Sequence, residues 1–194
     1  MSDERLPFAS QDEWRAWLAE HHADSDGVWI AFARKASGIP TVTYAEAVEV
    51  ALTYGWIDGQ ARSIDETRYG QRFTPRRARS RWSKINRAKA EKLSAAGEMQ
   101  PAGLAEVERA KADGRWDAAY DSPTTATVPD ELRAALDADP AAAKLFDELD
   151  GTNRFAILHR IHDAKRPETR ARRIAKFVEM LARGETLHPR RTAR

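Results

Sequence analysis

A chain of 194 residues, 42% hydrophobic and 32% charged, is long enough for one domain or two small ones and apolar enough to bury a core. It has no cysteine, which excludes a disulfide scaffold, a thiolate metal site and a cysteine nucleophile, and no apolar run approaches the roughly 18 residues of a membrane-spanning helix. The net charge of +2 hides a partition: residues 62–92 carry eleven Lys/Arg against three Asp/Glu, residues 165–194 carry ten against three, and the remainder is strongly acidic.

The opening MSDERLPFASQDEW has early acids and no apolar stretch of the kind an export signal needs, so the expected location is the cytoplasm. Ser10 with Glu13 is a capping-box pattern, and Trp14, Trp17 and Leu18 follow at helical spacing. Residues 27–34 read as a strand with Val28, Ile30 and Phe32 on one face and Trp29, Ala31 and Ala33 on the other, an apolar content expected of a strand covered on both faces. Thr43 with Glu46 opens a second helix, which Gly55 closes. Residues 56–64 and 68–74 read as a hairpin, and Pro75 ends its second strand. The sheet is expected within residues 27–75, with Trp29, Trp56 and Phe73 buried. From residue 83 the pattern is helical, with Pro101, Pro129, Pro140 and Pro167 at helix starts and Gly97, Gly114 and Gly184 at stops. Ile174, Phe177, Val178 and Leu181 form the apolar stripe of the last helix.

The fold class is thus α+β: a small, mainly antiparallel sheet with helices, followed by a C-terminal helical bundle. The Ser/Thr/Pro-rich residues 121–129 read as a linker between an α+β domain (1–120) and a helical region (130–187), with a frayed tail at 188–194.

The chemistry-bearing residues concentrate in the hairpin and the loop after it. In a regular strand Asp58 shares a face with Trp56, Gln60 and Arg62; it can serve as a general base or pair with an arginine of the next strand. On that next strand Arg68, Gly70, Arg72 and Thr74 face one way and Tyr69, Gln71 and Phe73 the other. Arg76, Arg77, Arg79 and Arg81 carry the positive charge into a loop that reaches Trp82 and the expected N-cap Ser83. Guanidinium forks feeding a helix N-terminus favour an oxyanion; the alternative is a solvated loop neutralised by the acidic body. Simple hairpin counting sets Asp58 opposite Thr74 and Pro75, so Asp58 and the Arg72–Trp82 segment are expected to line one concave, positive site. Arg166, Arg170 and Arg173 form a basic helix face. His159, His162 and Asp163 have metal-ligand spacing but no second cluster completes the set, so no metal is expected.

The strings GWIDG (55–59), RYGQRFTPRR (68–77), SRWSKIN (80–86), GRWDAAY (114–120) and AKRPETRARRI (164–174) together resemble the YdeI/OmpD-associated family, the bacteriocin-protection proteins. The resemblance implies resistance to bacteriocins or cationic antimicrobial peptides, a stress function, and association with an outer-membrane porin. It implies no cofactor and supplies no catalytic residue. The expected role is therefore non-enzymatic, through an Arg-rich surface that takes an anionic small molecule or a protein partner. The alternatives are a nucleic-acid binder, with Tyr69, Phe73 and Trp82 as stacking groups, and an enzyme using Asp58 with an arginine clamp.

Overall fold

A computed structural model describes residues 5–123 and 125–189. The expected fraying of residues 188–194 falls, from position 190 on, outside the described residues. The chain divides into two compact units, Met1–Trp82 with Asn86–Ala119, and Ser83–Ile85 with Tyr120–Arg194.

The first unit is built on a four-stranded sheet. Its strands are β1 (Arg5–Leu6), β2 (Val28–Ala33), β3 (Trp56–Ser63) and β4 (Arg68–Pro75), in the order β1-β2-β4-β3. β1 runs parallel to β2, and the other pairs are antiparallel, so the sheet is mixed and extends beyond residues 27–75. A two-residue strand has no period to read, which is why β1 escaped the sequence pattern. An isolated bridge between Ser83 and Tyr120 is a second departure from an all-helical chain after residue 83.

Helices α1 (Gln11–His21) and α2 (Tyr44–Thr53) cover the face of Val28, Ile30, Phe32, Trp56 and Phe73. Ser10 caps α1 by accepting from the Glu13 amide, while the Glu13 carboxylate reaches one residue further back to the Ala9 amide. At α2 the reciprocal box closes fully between Thr43 and Glu46. The Glu46 carboxyl is held below its ordinary value by the hydrogen bond from the Thr43 amide, then by the Thr43 hydroxyl. Trp14 anchors the core: its indole N–H donates to Ala47 O at 3.0 Å, and its rings meet Phe8, Trp17 and Phe73 at 5.2–5.6 Å. Helices α3 (Lys84–Ala95) and α4 (Pro101–Ala112) follow, with α4 packed on α2 through Gly103.

The second unit gathers α5 (Asp130–Asp137), α6 (Pro140–Asp147), α7 (Gly151–His162) and α8 (Pro167–Ala182) around Leu132, Leu136, Phe146, Ile157, Ile161, Ile174, Phe177 and Leu181. Ala126 and Val128 pack against this core, so the stretch read as a linker lies within the unit. Asn153 is fully buried and clamps His188: its amide oxygen accepts from His188 N at 2.9 Å and its nitrogen donates to His188 O at 3.2 Å.

Candidate functional site

The hairpin register decides which residues can act together. Asp58 pairs with Phe73, whereas Ala61 pairs with Gln71, so Gly59 and Gln60 together oppose Arg72 in a β-bulge. The buried Gln71 side chain donates to the Gly59 carbonyl at 2.8 Å and fixes the bulge. The extra residue shifts Asp58 away from the expected partners Thr74 and Pro75 and swaps the faces beyond it. Asp58 stays on the helix-covered side, where Tyr44 O–H donates to its Oδ2 at 2.7 Å. Arg62 pairs with Gly70 and so turns to the other side, with Arg72.

Arg72, on the opposite face from Asp58, lies in a cross-strand row. Arg5 pairs with Trp29, and Trp29 pairs with Arg72. With strands about 4.8 Å apart, the two arginine Cα atoms stand roughly 10 Å apart with the tryptophan between them. Gly70 leaves room beside this row: a Cβ built there would sit 3.3 Å from Trp29 Cε3 and 3.7 Å from Arg5 Cδ, so the indole and the Arg5 stem close over the missing side chain. Arg62 comes from the next row and lays its guanidinium over the Trp29 ring, 5.1 Å from the centroid. Trp29 is 7% exposed although it stands outside the apolar core cluster. The second face of β2 is thus sealed by arginine stems rather than by a further apolar layer.

These arginines have unspent donors. The Nε atoms of Arg5 and Arg72 are buried and without a hydrogen-bond partner, and among the described residues no carboxylate forms an ion pair with Arg5, Arg62 or Arg72. Some other basic residues are ion-paired, among them Arg109 with Glu106, Arg115 with Asp113, Arg170 with Glu131 and Arg183 with Glu179.

The loop after β4 divides into structural and exposed members. Arg76 is only 5% exposed: its guanidinium stacks 3.6 Å from the Trp82 ring centroid and its Nη1 donates to Arg81 O. Trp82 in turn meets Trp116 edge-on at 4.8 Å. Arg76 and Trp82 therefore brace the loop from within. Arg77, Arg79 and Arg81 are exposed, and the Arg77 amide donates to Ser80 Oγ in a tight turn. Ser83 belongs to the second unit, bridged to Tyr120. Among the described residues no cluster of three His, Cys, Asp or Glu side chains could hold a metal.

Sequence reasoning missed Arg5, Arg62 and Trp29 as members of the site. The usable signal was Gly59, since a glycine inside a strand marks a bulge and a bulge would have moved Arg62 to the face of Arg72. For Arg5 there was none.

Fold and surface define a two-unit α+β protein whose first unit offers an arginine-covered sheet face. Residues 6–106 match the family model described as a domain of unknown function (DUF8412), and residues 125–184 match the one described as bacteriocin-protection, YdeI or OmpD-associated. The chain belongs to the first of these families, whose model covers more than half its length; the second match spans part of the helical unit and supports the resemblance to the YdeI/OmpD-associated family. Of the five strings that carried the resemblance, only AKRPETRARRI falls inside the second match. No curated protein and no solved structure matches the chain. Among the described residues no helix is long and apolar enough to cross a membrane.

Proposed function

We propose that the protein acts by binding a small multivalent anion, such as a phosphorylated or polyphosphate ligand, on the outer sheet face of its first unit. The observation that carries this reading is the set of three arginines packed around Trp29, with which no carboxylate among the described residues forms an ion pair. Like charges held this close raise the local potential, and an oxyanion relieves it by pairing with the guanidinium groups. Exposed Arg77, Arg79 and Arg81 add a longer-range, salt-sensitive field.

A protective role of the kind the family description names follows from this sign of charge only indirectly. A basic face repels a cationic peptide, so protection would run through the anionic ligand. The nucleic-acid alternative is less well supported. It needs stacking aromatics, yet Trp82 and Phe73 are buried, Tyr69 is stacked on Phe32, and Trp29 lies beneath arginine.

Calorimetric titration with inorganic tripolyphosphate tests the reading. Arg5→Ala, Arg62→Ala and Arg72→Ala should each weaken binding about 10-fold, the effect of losing one charge-assisted hydrogen bond. Arg77→Ala/Arg79→Ala should cost less, and only at low salt. Full affinity in the three sheet variants, with loss in the loop variant, would reject the site.

A further inference from the structure

The second unit contains a cavity of about 240 Å³ that the anion-binding reading does not use. Its wall is formed by Tyr120, Phe155, Leu158, His159, His162 and Arg170. α7 supplies Phe155, Leu158, His159 and His162 because positions i, i+3, i+4 and i+7 share one helical face. α8 supplies Arg170 one turn from its start, and the segment before α5 supplies Tyr120. The His159 ring meets Tyr120 edge-on at 5.1 Å and 85°, and Phe155 at 5.3 Å, so aromatic rings and Leu158 define the apolar part. A dry cavity of roughly 150 Å³ already accommodates benzene, so this one holds a single ring with one small substituent and nothing of drug size.

Two donors stand at its edge, the Arg170 guanidinium and the His162 imidazole. Arg170 spends three of its five N–H groups, on the two Glu131 oxygens and on Ile161 O, which leaves two. The exposed imidazole of His162 has no hydrogen-bond or ion-pair partner among the described residues. The one carboxylate on the wall, Asp121, is already engaged by Lys84 at 2.7 Å. The Nε/Nη2 fork of Arg170 is held by Glu131, so what Arg170 can offer an acceptor-rich substituent in this mixed polar and apolar space is one N–H on each Nη, a charge-assisted donor that favours a carboxylate.

We propose that this cavity binds a small aromatic or cyclic monocarboxylic acid, its ring among Tyr120, Phe155 and Leu158 and its carboxylate on Arg170 and His162. The site is separate from the arginine-covered sheet face and stands or falls without it.

Benzoate is the probe, titrated into the full chain labelled with 15N, with benzylamine as the opposite-charge control. The expected result is a saturable shift confined to residues lining the cavity, with benzylamine at least about 10-fold weaker. Arg170→Lys, which keeps the charge and removes the remaining Nη donors, and His162→Ala should each weaken benzoate roughly 5- to 10-fold. Ala126→Phe, which adds bulk to the cavity lining, should abolish it; a folded spectrum for this variant is the control. Equal binding of benzylamine overturns the ligand class. No saturable shift, or shifts at Arg5, Arg62 and Arg72 instead, overturns the site. Unchanged benzoate affinity in both Arg170→Lys and His162→Ala does so too.

Discussion

Gly103 offers a sharp test of how the first unit packs. It lies on α4 against the last turn of α2, where a Cβ would stand 2.2 Å from the Thr53 carbonyl oxygen and 2.9 Å from that of Leu52. Both obstacles are backbone, and Thr53 O is further held by the Gln100 amide at 3.0 Å. Ordinary contact begins near 3.4 Å, so in Gly103→Ala the two helices must part by about 1 Å. Alanine gains about 1 kcal/mol of intrinsic helix preference. Overpacking against a rigid neighbour costs about 3 kcal/mol, at the upper end of the usual range. The net expectation is a loss of about 2 kcal/mol, which at a urea dependence of about 2 kcal/mol per molar lowers the midpoint by roughly 1 M. All six tryptophans belong to the first unit, so tryptophan-selective fluorescence in a urea titration reports on this unit alone. A midpoint equal to or above that of the parent protein would refute the close α2–α4 contact.

Other outcomes follow from single contacts. Because the folded Glu46 carboxyl sits below its ordinary value of 4.5, its contribution is complete above that pH and is lost as pH falls through the lower folded value. Glu46→Gln should therefore flatten the acid limb of melting temperature against pH; an unchanged slope would contradict the cap. Asn153→Ala should cost about 2 kcal/mol and release the His188 amide to fast hydrogen exchange, since a buried clamp loses its partners. Gly70→Val should push Trp29 outward, red-shift its emission and weaken tripolyphosphate binding while the fold survives; unchanged emission would mean the indole does not rest over Gly70.

The legible parts of this sequence were those governed by short-range rules. Thr43 with Glu46, the prolines at 101, 140 and 167, and the glycines at 97, 114 and 184 mark helix ends through local backbone chemistry, and the elements begin and stop there. The hairpin was legible as a pair of strands but not in register, because one bulged residue reverses every side chain beyond it. That error set Arg62 beside Asp58 instead of Arg72. Arg76 shows a second limit: nothing in RRARSRW says which arginine folds back on Trp82, since the choice is made by loop geometry rather than by residue type. Trp29 shows a third. Its apolar strand pattern reads as a double-covered core, and only the assembled sheet shows arginine stems as the cover.

The most direct measurement of the central claim is the side-chain Nε–Hε spectrum of the protein labelled with 15N-arginine, followed through a tripolyphosphate titration at fixed ionic strength. Arg5, Arg62 and Arg72 are expected to shift together and saturate with a single dissociation constant, while Arg76, buried against Trp82 with its Nη1 on the Arg81 carbonyl, stays in place. Shifts confined to Arg77, Arg79 and Arg81, with the three sheet arginines unmoved, would contradict it.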